Sequence, residues 1–277
     1  MGRTAFEKIA AIAHEEAGLS IAPGKAAMVR TRLARRLRAL RLSSFDDYCA
    51  LVSGNDGGEE RREMISALTT NVTHFFREDH HFERLKAEVL PTLFKKLSTG
   101  GRVRIWSAGC STGQEPYSIA MTILDSAAYS SSMDIRILAT DIDPKVISQG
   151  RAGCYNENTL SGLPDNLREK YFDHTKGDRG STWTASSEVR NLVSFRELNL
   201  LHNWPMQGKF NVIFCRNVVI YFDAATQSRL WKRFSTALDP AGWLFLGHSE
   251  RVSDDCGALF TNQGLTAYRS SSTRASA

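Results

Sequence analysis

Beyond Arg102 the chain changes texture. Short runs rich in β-branched and aromatic residues alternate with helical segments, which restricts the fold to an α/β arrangement with a parallel sheet and crossover helices. The predicted strands cover 103–107, 135–140, 192–197, 210–215, 243–247 and 265–269, with helices at 117–127, 145–150 and 224–238, the last N-capped by Asp223. Residues 1 to about 90 read differently, with helical periods at 6–17, 25–42, 45–53 and 61–70 and almost no strand signal. The expectation is an all-α domain over 1–90 and a Rossmann-like domain over 91–277, with a hinge near Ser98-Thr99-Gly100-Gly101. Within the second, about 160–191 fits a small antiparallel β-subdomain better than a crossover helix, because Gly177, Gly180 and a Ser/Thr-rich run interrupt helical periodicity. The polar tail 270–277 is expected to be disordered.

The most informative local segment is Val103-Arg104-Ile105-Trp106-Ser107-Ala108-Gly109-Cys110-Ser111-Thr112-Gly113-Gln114-Glu115-Pro116-Tyr117, a strand entering a glycine turn and then a helix. Gly109 and Gly113 let the backbone turn tightly against a ligand at the carboxyl end of the first strand, where open α/β sheets bind nucleotides. A P-loop needs a lysine after its second glycine, and none is present. A dinucleotide fingerprint needs three glycines, and Glu115 at the helix start would repel a pyrophosphate. S-adenosylmethionine, which carries an ammonium and a sulfonium but no phosphate, fits this turn better. Asp141, ending the second strand, is the expected acceptor for the ribose hydroxyls, while Asp143 before Pro144 is the better helix cap.

The motifs Leu68-Thr69-Thr70-Asn71-Val72-Thr73-His74-Phe75-Phe76-Arg77-Glu78, Gly113-Gln114-Glu115-Pro116-Tyr117-Ser118, Ala139-Thr140-Asp141-Ile142-Asp143, Phe214-Cys215-Arg216-Asn217-Val218-Val219-Ile220-Tyr221-Phe222-Asp223 and Gly247-His248-Ser249-Glu250 occur in this order. Together they resemble the CheR family, the chemotaxis-receptor glutamate O-methyltransferases. The resemblance implies an S-adenosylmethionine-dependent methyltransferase that esterifies receptor glutamates and releases S-adenosylhomocysteine. It also implies that Asn71, Thr73 and Arg77 reach the cofactor, that Asn199 and Leu200 hold adenine and ribose, and that Asn217 lines the same site. Arg77 would then bind the methionyl carboxylate in a bidentate fork while Glu115 takes the ammonium. Arg216 and Tyr221 would orient the acceptor glutamate. An arginine after the apolar strand 212–215 is costly to bury without an anionic partner, which favours a carboxylate substrate.

Six arginines stand between residues 30 and 41, on a helix whose Val29, Leu33, Leu37 and Leu40 form one apolar stripe. Arg32, Arg35 and Arg38 project from the far side, and the resemblance makes this face a docking surface for acidic receptor helices. The net charge of +5 also suits nucleic acid, but the turn after the fourth strand lacks the Asn/Asp-Pro-Pro-aromatic pattern of base amino-methylation. A non-catalytic S-adenosylmethionine sensor is the remaining alternative, against which Arg77, Glu115, Asp141 and Arg216 argue. Five scattered cysteines offer no C-x-x-C pair, so neither zinc nor a disulfide framework is expected. No apolar run reaches the length of a membrane span, and Met1-Gly2-Arg3-Thr4-Ala5-Phe6 leads into charged residues, so a cytoplasmic monomer is expected.

Overall fold

The computed structural model describes residues 1–177 and 180–271, so the expected disorder of the tail falls, beyond residue 271, outside the described residues. The chain forms two compact units: Met1–Thr70 with Ile220–Gln227, and Asn71–Val219 with the chain from Ser228 onward.

The first unit contains helices α1 (Arg3–Ala17), α2 (Ala26–Leu40), α3 (Phe45–Ser53) and α4 (Gly58–Leu68). Val29, Leu33 and Leu37 of α2 recur at every fourth position and are buried, as the stripe predicts. Behind them the Glu60 carboxylate accepts from the buried Tyr48 hydroxyl at 2.8 Å and pairs with Arg36, which also meets Glu63 at 2.8 Å. The segment 220–227 belongs here by its own bonds. Ser20 N–H donates to the Tyr221 carbonyl at 2.7 Å, and Asp223 lies 2.6 Å from His14. Asp223 also accepts from Thr226 N–H at 2.7 Å, giving the expected cap.

The second unit opens with α5 (His80–Arg84), a wide turn at Leu85–Val89 and α6 (Leu90–Ser98). These helices were expected in the N-terminal domain, but Phe82, Leu85, Val89, Leu90, Leu93 and Phe94 share one core with Val103 and Ile105. The division therefore falls at Thr70/Asn71 and not near residue 90. Helical periodicity shows an apolar face but not which core will receive it.

Then follow β1 (Val103–Ala108), α7 (Gln114–Leu124), β2 (Ile135–Asp141), α8 (Pro144–Ala152), β3 (Cys154–Asn156), α9 (Glu157–Leu160), α10 (Asp165–Tyr171), β4 (Phe172–Gly177), β5 (Gly180–Ala185), α11 (Ser187–Leu192), β6 (Val193–Glu197), β7 (Phe210–Cys215), α12 (Ala224–Ala237), β8 (Leu238–Leu246), β9 (Phe260–Asn262) and β10 (Ala267–Ser270). The main sheet has the order β6-β2-β1-β7-β8-β10-β9. Its first five strands run parallel, and β10 pairs antiparallel with both β8 and β9. Three-residue β9 was not anticipated, being too short to show alternation. The expected antiparallel subdomain is present as the separate sheet β3-β5-β4, which begins at Cys154 instead of residue 160. Parallel order brings the carboxyl ends of β2, β1, β7 and β8 side by side, and the loops that leave them carry the site.

Candidate functional site

The turn after β1 is shaped by its backbone. Gly109 has φ +85° and Gly113 φ +97°, conformations that a side chain disfavours. A Cβ on Gly109 would also lie 2.3 Å from Val218 Cγ2. The N–H groups of Gly109 and Cys110 both donate to the Thr140 carbonyl, at 2.8 and 2.9 Å, stitching the turn to the end of β2. Asp141 completes the stitch: its Oδ2 accepts from Ser111 N–H at 2.8 Å and its Oδ1 from Asp143 N–H at 3.1 Å. Burial raises the Asp141 pKa, opposed by these N–H groups. Asp143 caps α8 through Lys145 N–H at 3.0 Å, so the cap belongs to Asp143 as expected.

Asn71 meets this turn instead of capping a helix. Its amide donates to Asp143 Oδ2 at 3.1 Å, and its carbonyl accepts from the Ser111 hydroxyl at 2.9 Å. Thr73 is partly exposed two residues on. On the far side of β2, Asn199 Oδ1 accepts from Leu201 N–H at 2.9 Å, and Leu200 is buried.

The end of β7 is organised by charge. The Arg216 side chain, 2% exposed, places Nη2 3.2 Å from Glu78 Oε2 and Nη1 3.1 Å from Glu115 Oε2, and it donates to the Arg77 carbonyl. Burial disfavours ionisation of Glu78, but Arg216 and His248 outweigh it and hold its pKa at about 2. For Glu115 burial wins over the same arginine and the pKa is raised, although Ser107 donates to Oε1 at 2.7 Å. This corrects one expectation. Arg216 has its anionic partners within the chain, so its burial does not point to a substrate carboxylate. Glu115 is paired with Arg216, while the Arg77 guanidinium donates to the Val72 carbonyl at 3.0 Å.

Glu250, to which no role was given, supports the loop after β7. Its Oε2 accepts from the N–H groups of Gly247 and Asn217 at 2.6 and 2.8 Å, and its Oε1 from those of Val218 and Val219, both at 2.9 Å. Asn217 is thereby held at φ +59°, with its amide 3.4 Å from Glu78 Oε1. Glu78, Ser107, Ser111 and Glu250 were all missed. For Glu78, which stands inside a recognised motif, the available signal was the need of Arg216 for acids.

Glu78, His80 and His81 also present donor atoms within 4.8 Å of one another. Burial, then the Arg216 charge, lower the His81 pKa to about 3. The same guanidinium would repel a metal cation, so an ion-pair network explains the cluster better than a metal centre.

Tyr221 lies in the segment grouped with the helical unit. In that unit the three arginines proposed for docking divide. Arg32 donates to the Leu68 and Thr69 carbonyls at 2.6 and 3.1 Å and to the Thr70 hydroxyl at 2.8 Å, so it braces the end of α4 instead of facing outward. Arg35 and Arg38 are exposed.

Residues 71–268 match the CheR methyltransferase, SAM binding domain, and residues 4–69 match the CheR methyltransferase, all-alpha domain. The chain belongs to the CheR methyltransferase family. The S-adenosylmethionine-binding match spans the second unit, and the two matches meet at the Thr70/Asn71 division, although Ile220–Gln227 within that match belongs to the first compact unit. Similar proteins include the "Probable chemotaxis protein methyltransferase" of Rhizobium etli, 48% identical over 92% of this chain and 96% of that one. The "Chemotaxis protein methyltransferase" of Escherichia coli is 39% identical over 95% and 89% of the two chains. "Chemotaxis protein methyltransferase 2" of Pseudomonas aeruginosa is 41% identical over 96% and 92%. Among the described residues no helix is long and apolar enough to cross a membrane.

Proposed function

We propose that this CheR-family protein transfers the methyl group of S-adenosylmethionine to glutamate side chains of chemotaxis receptors in the cytoplasm, leaving glutamate methyl esters and S-adenosylhomocysteine. The observation that carries this reading is the glycine turn stitched to Asp141, in a chain so similar along its length to chemotaxis protein methyltransferases. The turn offers close backbone approach, and Asp141 keeps lone pairs beyond its two N–H bonds for the ribose hydroxyls. Asn71, Thr73, Arg77, Asn199 and Leu200 complete the cofactor site in this reading, and Tyr221 orients the acceptor.

The chemistry asks little of acid–base groups. A glutamate with a reference pKa of about 4.3 is already ionised at neutral pH, so no general base is needed. In-line alignment of carboxylate and sulfonium can recover about 7–11 kcal/mol of the barrier. Arg216 is a positioning residue here: with Glu78 and Glu115 it fixes the strand end that bears Asn217. An arginine already balanced by two carboxylates does not over-stabilise the acceptor anion in the ground state.

Arg35 and Arg38 are the docking residues that remain exposed, and rows of receptor glutamates would attract them. Incubation with methyl-labelled S-adenosylmethionine and receptor-containing membranes, followed by base, should release volatile methanol. Base-stable label on protein, or label on nucleic acid alone, would overturn the reading.

A further inference from the structure

A cleft of about 410 Å³ lies away from the methyl-transfer site, lined by Trp204, Met206, Lys209, Phe210, Lys232 and Arg233 among others. Phe210 begins β7, whereas Arg216 follows its other end, so the cleft sits at the opposite edge of the sheet from the cofactor turn. Its ten lining residues include three cations and no carboxylate, although the whole chain carries 30 acids against 35 Lys and Arg.

Exposed lysines alone are ordinarily a solvated face, and Lys232 also feels Asp255. Arg233 is different. Its guanidinium lies 4.0 Å from the Trp204 ring centroid and donates to the Leu200 and His202 carbonyls. Among the described residues no carboxylate pairs with it, and its partial burial lowers its pKa. A partly buried cation satisfied only by neutral carbonyls retains a strong preference for an anion. Lys209 reaches α12 and donates to the Thr236 carbonyl, and among the described residues it likewise has no acidic partner. Trp204, Met206 and Phe210 add an apolar wall, and the volume suits a ligand larger than a lone phosphate.

We propose that this cleft binds a nucleoside phosphate, with Lys209, Lys232 and Arg233 on the phosphates and the partly exposed Trp204 and Met206 side chains against the ring. Arg233 gives the site a route to the cofactor. The carbonyl it holds belongs to Leu200, so an anion that draws the guanidinium outward loosens the Asn199–Leu200 segment. This coupling rests on the assignment of that segment to adenine and ribose; binding itself does not.

The test uses the full chain saturated with S-adenosylhomocysteine, so that added nucleotide cannot enter the cofactor site. Titration calorimetry with ATP and GTP at about 0.05 M salt should show saturable binding with Kd below about 1 mM, and uncharged adenosine should show none. Lys209→Glu with Lys232→Glu should weaken nucleotide binding at least about tenfold, with circular dichroism and S-adenosylhomocysteine affinity unchanged. Absence of saturable binding, or equal affinity in the double variant, overturns the site. If ATP binds but leaves S-adenosylhomocysteine affinity unaltered, the coupling is overturned. Neither outcome involves receptor methylation, so failure here is distinguishable from failure of the proposed activity.

Discussion

The turn after β1 and the cluster after β7 leave neighbouring parallel strands, yet they are held by different means. The first is a backbone device: two positive-φ glycines, two N–H groups on one carbonyl, and one aspartate on a third. The second is a charge device, in which one arginine meets Glu78 and Glu115 while Glu250 gathers the N–H groups of the adjoining loop. The partners that close the turn onto β2, such as Ser111 and Asp141, lie about 30 residues apart. Those of Arg216 lie 101 positions away at Glu115 and 139 at Arg77. A local device tolerates change by degrees, whereas a network of buried charges fails when one member is lost.

That contrast is most exposed by Arg216→Met, which leaves Glu78 and Glu115 buried without a counter-charge. It should cost about 3–5 kcal/mol in denaturant unfolding and abolish methyl transfer. Adding Glu78→Gln should restore part of the stability, and strictly additive losses would show that the cluster is not a unit. Gly109→Ala comes next, at about 1–3 kcal/mol, because it forces positive φ on a side chain and drives Cβ into Val218. Cofactor affinity measured by calorimetry should fall with it, and Val218→Ala should recover the steric share but not the backbone share.

Asp141→Asn probes the turn more gently, since one acceptor oxygen remains for one of the two N–H groups. We expect about a tenfold loss of S-adenosylmethionine affinity with a cooperative unfolding transition retained. Unchanged affinity would leave Asp141 as a brace for the turn alone. The smallest effect is with acid. His81 is held neutral in the fold, so its unfolded form binds the extra proton as pH falls below 6.5, and stability declines down to the folded value of about 3. Between pH 6.5 and about 5.5 this should remove about 1 kcal/mol, read as a falling Tm, and His81→Gln should flatten that slope. Glu78 adds to the loss only below its ordinary 4.5, as protons compete with Arg216.

The parallel sheet, the antiparallel excursion, the glycine turn and the Asp143 cap were legible because each is written in a few adjacent residues. The position of α5 and α6 was not, since their apolar faces could serve either core. Glu250 was recognised as part of a motif but its task was invisible. Three of its four donors come from the loop at 217–219, and no local pattern announces that those N–H groups lack sheet partners. Arg32 and Arg35 look alike on the helix, and only the end of α4, 36 positions from Arg32, tells them apart.

The segment 220–227 has a consequence for how the protein is made. Its residues Tyr221 and Asp223 bond to Ser20 and His14, but they are separated from Thr70 by the whole span Asn71–Val219. At about 5–20 residues per second, a ribosome needs roughly 7–30 s to cross that span, during which the four helices have emerged without their last element. The first unit to be translated is therefore not the first to be finished, and a fragment cut at Thr70 would begin life with the His14 and Ser20 positions unclosed.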